Sequence, residues 1–226
     1  METRCPFGVS AFTFAPLMSM EDPEKQRLLE SAMLMFQRYG LKSVTMSDIA
    51  RELGISKKTV YKYVANKEEL IKGCCAFSLE DVHQKLAFLQ ERAVNAIDEL
   101  FYVDGFMREK LEKHLHIMEF QLERHFPEAH RQLTTKRQEL ILDFQRKNLR
   151  RGIDEEIYRS DIDIEIVAQL YYSKIHSLLT QSSHNPVIPT LKELLGQALV
   201  YHIHGIASPK GISYLHERMN DSTAQS

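Results

Sequence analysis

The chain has 226 residues, of which 43% are apolar and 27% charged, a balance that supports a buried core and excludes collagen-like and disordered classes. Nine glycines and seven prolines are about 7% of the chain, against about 12% in average usage, so turn-dense strand folds are disfavoured and long helices are expected. The net charge of −2 does not advertise a nucleic-acid binder, so any basic patch has to be local.

Residues 1–20 contain Pro6, Gly8 and Pro16 and show no helical period. They lack the basic start and unbroken apolar stretch of a secretory signal. A disordered arm is expected there, or a true translation start at Met18 or Met20. No run of ~18 apolar residues occurs anywhere, so no membrane span is expected. The three cysteines, Cys5, Cys74 and Cys75, are odd in number and lack metal-ligand spacing, which points to a reducing cytoplasm.

From residue 22 the chain is punctuated as a series of helices. Asp22-Pro23-Glu24 combines a capping side chain, a proline at the first helical position and an acid facing the helix dipole. Apolar residues then recur at three- and four-residue steps until Gly40, predicting a first helix over 23–39. Thr45-Met46-Ser47-Asp48 is a capping-box-like start, and Gly54 is the stop. Only Ile55 separates that glycine from Ser56, which caps a second short helix from Lys57 to about Tyr63. Two short helices across a tight glycine turn form a helix-turn-helix. Asn66 caps the next helix, with Glu69 completing a box-like pattern.

Charge is concentrated in this segment. Between Lys42 and Lys72 there are seven basic residues and four acids, a net +3 that leaves −5 for the rest of the chain. Lysines on the second short helix are placed to neutralise phosphates. Tyr61 and Tyr63 carry hydroxyls for phosphate oxygens and rings for thymine methyls.

The stretch TMSDIARELGISKKTVYKYVANKEELI resembles the DNA-binding signature of the tetracycline-repressor (TetR) family of bacterial regulators, and the likeness covers about 23–75. It implies that Ile49, Ala50, Leu53, Ile55 and Val60 form the buried core of the unit. Thr45 and Ser47 would sit near a phosphate strand. Ser56, Lys57, Lys58, Thr59, Tyr61, Lys62 and Tyr63 would form the groove-facing helix with its cap, and Lys67 would clamp phosphate. Lys58 stands where many members have glycine, and Val64 replaces a common phenylalanine.

Beyond residue 75, helices are predicted over 70–89, 91–113, about 115–125 and 128–150, with Gly73 a weak point in the first of them. His114, His116, Glu119 and His125 hold no clean i, i+4 ligand pair, so no metal site and no cofactor is expected. No phosphate loop, nucleophile elbow or His-Glu-x-x-His pattern occurs, which argues against an enzyme. Phe101, Tyr102, Phe106, Met107, Met118 and Phe120 supply aromatic and sulfur surface for a small apolar effector, or ordinary core. Arg151-Gly152-Ile153 followed by Asp161-Ile162-Asp163 resembles the turn before the two dimer-forming helices of the same family. Those helices are predicted at 161–182 and from Leu191, after a break at Pro186 and Pro189, with a short helix at 212–219. Ile166, Leu170, Tyr171, Leu178, Leu191, Leu194, Leu195, Ala198, Leu199 and His202 form the expected dimer stripe.

The expectation is an all-α protein of nine to ten helices. An arm over 1–20 would precede a helix-turn-helix domain over 21–68 and an effector and dimerisation bundle over 69–220. The function implied is sequence-specific transcriptional regulation, with repression at a palindromic double-stranded DNA operator by a homodimer released by a small molecule. Control by a protein partner, constitutive binding and a helical enzyme are the other readings.

Overall fold

The computed structural model describes residues 22–112, 115–181 and 191–224, and among them it contains ten α-helices and no strand. The arm over 1–20, the prolines at 186 and 189, and His114 lie outside the described residues.

The first four helices follow their caps. In α1 (Pro23–Tyr39) the Asp22 carboxylate accepts from the Glu24 and Lys25 amides at 2.9 and 3.3 Å. In α2 (Met46–Leu53) Thr45 and Asp48 close a capping box, and Gly54 ends the helix at φ +67°, a left-handed conformation that glycine adopts without strain. Helix α3 (Lys57–Tyr63) starts at Ser56, whose hydroxyl accepts from the Thr59 amide at 3.0 Å. Helix α4 (Lys67–Arg92) starts at Asn66 and runs unbroken through Gly73. A glycine in a helix costs only ~1 kcal/mol relative to alanine, and here a Cβ would meet Leu29 at 3.0 Å, so the residue permits close packing of α4 on α1.

Several helices start or end away from their expected limits. The helix expected over 91–113 is split. Helix α4 ends at Arg92 and α5 (Ala96–Glu112) begins after Asn95, whose side chain accepts from the Ile97 and Asp98 amides at 3.0 Å each. After α6 (Leu115–His125), α7 (Pro127–Asp154) continues through Arg151-Gly152-Ile153, so the turn assigned there lies after Asp154 instead. Gly152 is helical, and its lack of a side chain admits the Tyr158 ring, which comes within 2.0 Å of where a Cβ would stand. Helices α8 (Ile164–Gln181) and α9 (Leu191–Ile206) follow. The last, α10 (Pro209–Ala224), is twice the expected length because Pro209 occupies its first turn and the Ser208 hydroxyl accepts from Gly211.

Two cores result. One gathers Leu28, Leu29, Phe36, Ile49, Val60 and Leu70 of α1 to α4, and it also takes Leu122 from α6 and Ala129 from α7. The other lies among α5, α7, α8, α9 and α10, around Leu100, Leu149, Ile203 and Leu215. Helix α4 contributes to both, through Leu70 and Leu86, and so spans them.

Candidate nucleic-acid interface

The helix-turn-helix presents a divided surface. Ile49, Ala50 and Val60 are buried and Leu53 and Ile55 pack against them, so α2 and α3 are locked by one side each. The opposite side of α3 carries Lys57, Lys58, Tyr61 and Lys62, all exposed. Among the described residues none of these lysines is in an ion pair, and Lys57 lies 5.9 Å from the Tyr61 ring centroid. A short, rigid helix with three uncompensated ammonium groups and an outward phenol is chemically suited to a polyanion groove.

Other expected contact residues have duties inside the chain. The Thr45 hydroxyl donates to Asp48 at 2.6 Å, and this hydrogen bond holds the Asp48 carboxyl below its ordinary pKa. Ser47 is exposed at the start of α2, and Thr59 shares a hydroxyl contact of 2.8 Å with Ser56. Tyr63 donates to Glu24 at 2.5 Å, tying the end of α3 to the start of α1; that bond raises the phenol to about 12. The Lys67 ammonium donates to the Lys42 carbonyl at 3.2 Å beside the Phe126 ring, and burial lowers its pKa. An ammonium has three protons, so two remain for an outside acceptor.

Besides the core contacts of Leu122 and Ala129, a hydrogen bond joins this unit to the bundle. Gln121 of α6 accepts from the Leu41 amide at 2.7 Å, at the turn between α1 and α2. Eighty residues separate the two partners, and no local pattern in the sequence marks the pair.

The six residues expected around an effector do not surround one space. Met118 packs on the first core, whereas Phe101 and Met107 pack on the second. Phe101 also lies 5.5 Å from the Arg218 guanidinium of α10. Tyr102 and Phe106 are half-buried, and Phe120 points to solvent. Among the described residues no group of three or more metal-ligating side chains occurs, and no helix is long and apolar enough to cross a membrane. Burial pushes the Cys75 thiol up to about 11 and Cys74 further, so both are thiols at neutral pH.

The expected dimer stripe divides into two faces. Leu195, Leu199 and His202 are buried within the chain itself, which corrects their assignment to an outer face. A helix period brings them to the same side as Ile203 and Ile206, the side that closes the second core. Tyr171 turns inward too, its ring 4.7 Å from that of His202. Ile166 and Leu170 of α8 remain outward at 59% and 65% exposure, joined by Tyr201 of α9 at 78%. Leu178, Leu191, Leu194 and Ala198 are half-buried between the two sides. The expected stripe did not include Tyr201, although one large aromatic at an otherwise polar angle of α9 was a visible signal.

His202 gives a pH prediction. Its burial, with the Lys174 charge nearby, lowers its pKa from 6.5 to about 3, so the folded chain holds it neutral. The unfolded chain takes up the proton first as pH falls, so this contribution to stability is complete above about 6.5 and is lost progressively towards 3. Melting temperatures measured across that window should fall more steeply for the unaltered protein than for His202→Phe. Equal slopes would mean that His202 titrates normally in the folded state.

Comparison with known proteins follows the same geometry. A family model described as bacterial regulatory proteins, tetR family, matches residues 28–74, the α1 to α4 unit. The HTH-type transcriptional regulator BetI of Agrobacterium fabrum is 34% identical over 114 residues, 50% of this chain and 50% of that protein, so the matched chain spans about half its length. The HTH-type transcriptional repressor KstR2 of Mycobacterium tuberculosis is 24% identical over 192 residues, 82% of this chain and 93% of the repressor. A crystal structure of a transcriptional regulator from Cytophaga hutchinsonii has the same fold, with a TM-score of 0.67 at 16% identity, covering 83% of this chain and all of that one.

Proposed function

We propose that the chain, whose residues 28–74 match the model of the tetR family of bacterial regulatory proteins, is a homodimeric repressor of transcription that a small molecule releases from its operator. The observation that carries the DNA reading is α3, seven residues long, anchored through Val60 and exposing Lys57, Lys58, Tyr61 and Lys62 on its free side. The lysines engage phosphates flanking the groove, and Tyr61 lies against base edges or thymine methyls. Lys67, Thr45 and Ser47 approach the strand beside it.

One seven-residue helix reads too few bases for useful specificity, and a twofold dimer sets two of them about 34–36 Å apart, one turn of DNA, or a multiple of it. The outward face of Ile166, Leu170 and Tyr201 supports pairing of α8 and α9 with their symmetry mates in a four-helix arrangement. Release works as a population shift: the effector favours a bundle arrangement in which the two α3 helices no longer match the operator spacing. Gln121 carries that change, since any movement of α6 pulls directly on the Leu41 amide ahead of α2. BetI and KstR2 are named as a transcriptional regulator and a transcriptional repressor, which supports the repressor reading here.

The test is selection of bound duplexes from a random DNA pool. An inverted repeat with half-sites one helical turn or a multiple apart is the expected result. Recovery of no common sequence would overturn specific binding, and a single asymmetric site would overturn the dimer.

A further inference from the structure

The inner side of the bundle holds polar groups that its own fold leaves unsatisfied. Gln145 of α7 is 0% exposed, and neither its amide nitrogen nor its oxygen has a partner. The buried Nε of Arg108 on α5 and the Nε2 of His202 on α9 are likewise without partners. An unpaired buried polar group is destabilising, and three side chains on three helices share this defect.

They belong to one region. Arg108 pairs with Asp104 at 2.5 Å, and its guanidinium lies against Gly196 of α9, 2.4 Å from where a Cβ would stand. Asp104 is within electrostatic reach of Tyr171, whose ring leans on His202. Lys174, one turn along α8, donates to the Ala198 carbonyl at 2.8 Å and sits 5.2 Å from the Tyr171 ring. Gln145 lies one turn before Asn148 on the buried side of α7. Asn148 donates to Ala96 of α5 and accepts from Tyr158, which is within electrostatic reach of Tyr171. The glycine at 196 leaves room for the Arg108 guanidinium, which a Cβ there would displace from its present position.

We propose that this region binds the effector, and that the effector is a small organic acid whose carboxylate engages Arg108 and Gln145 while its apolar remainder enters the second core. The inference rests on the regulator reading above and names the ligand class for it. Two of the unsatisfied atoms, Arg108 Nε and Gln145 Nε2, are proton donors. Arg108 is paired with Asp104, and Arg151, near Tyr158, is held between Glu99 and Glu155, whereas Lys174 is in no ion pair among the described residues and is the charge that a monoanion meets. His202 is neutral, so its free nitrogen accepts from a hydroxyl on the ligand or donates to its carboxylate. Leu100, Leu199 and Ile203, buried on the same helices, are the apolar side chains that the rest of such an acid would meet.

The probes are straight-chain acids from butanoate to dodecanoate, each beside its primary amide and amine, tested on the full chain by thermal shift and titration. At least one acid should raise the melting temperature saturably, with its amide about tenfold weaker or worse and its amine inactive. In R108M and Q145L the dissociation constant for that acid should rise about tenfold or more, while binding to the selected operator without probe stays unchanged. Without ligand, Q145L should melt at or above the unaltered protein, because the substitution removes an unpaired amide. A melting temperature lower by many degrees would show that the amide is partnered in the free protein, and would overturn the proposal. Amines or amides binding as tightly as acids, acids binding both variants normally, or no acid binding at all would each overturn it. Failure of the unaltered protein to bind any DNA would count against the regulator reading and leave the acid-binding result standing on its own.

Discussion

Replacing Lys57, Lys58 and Lys62 together by alanine is expected to abolish specific operator binding while the protein stays folded. All three are exposed and outside any ion pair among the described residues, so their removal breaks no ion pair and loses only the exposed contact of Lys57 with the Tyr61 ring. Alanine is also the best helix former, so the seven-residue α3 is retained. Each lysine that neutralises a phosphate adds about 0.9 to the slope of log affinity against log salt. The triple variant should therefore lose about 2.7 from that slope and about a hundredfold or more in affinity at moderate salt. Tyr61→Ala should act differently, since a ring against base edges affects discrimination between sequences more than salt dependence. Filter binding or fluorescence anisotropy at several salt concentrations checks both. An unaltered slope in the triple variant would place the DNA on another face.

A second large effect is expected at the outward face of α8 and α9. Glutamate at Leu170 or Tyr201 lies on an exposed side of the single chain, so the fold should survive. In a twofold dimer each substitution places an unpaired charge in the interface twice, at roughly 3–5 kcal/mol for a buried unpartnered charge. Light scattering should then show a folded monomer, and operator affinity should collapse because the two α3 helices are no longer held at a common spacing. Leu195→Glu should behave quite differently. It places the charge in the chain's own core, against a total stability of about 5–15 kcal/mol, and should leave little folded protein. If L170E and Y201E both remain dimers with normal DNA affinity, the interface is elsewhere. If L195E gives a folded monomer, the inward assignment of that side of α9 is wrong.

The α1 to α4 unit was readable residue by residue because its signals are local. Asp22, Thr45, Ser56 and Asn66 each satisfy amides within three residues, and Gly54 supplies its left-handed turn with no help from elsewhere. The seven basic residues between Lys42 and Lys72 are a property of the string alone. Boundaries were missed where a cap had no accompanying apolar pattern, as at Asn95, or where a glycine served packing and not a turn, as at Gly152.

The amino-acid order was enough to establish helices, caps, a basic recognition segment and amphipathic stripes, since each depends on neighbours within one or two turns. It did not establish which side of a stripe faces which surface. Leu195 and Leu199 look the same as Ile166 and Leu170 in a period of 3.6 residues, and they differ because α5 and α7 cover one side of the α8–α9 pair and not the other. Tyr63 looks like a DNA ligand until Glu24 is brought to it across 39 residues, and Lys67 is steered by the Lys42 carbonyl, 25 residues away, which takes one of its protons. The unsatisfied amide of Gln145 is likewise invisible in the string, because burial and the lack of a partner are properties of the surrounding helices. Contacts of that kind join residues far apart in the chain, and only the packed bundle assigns them.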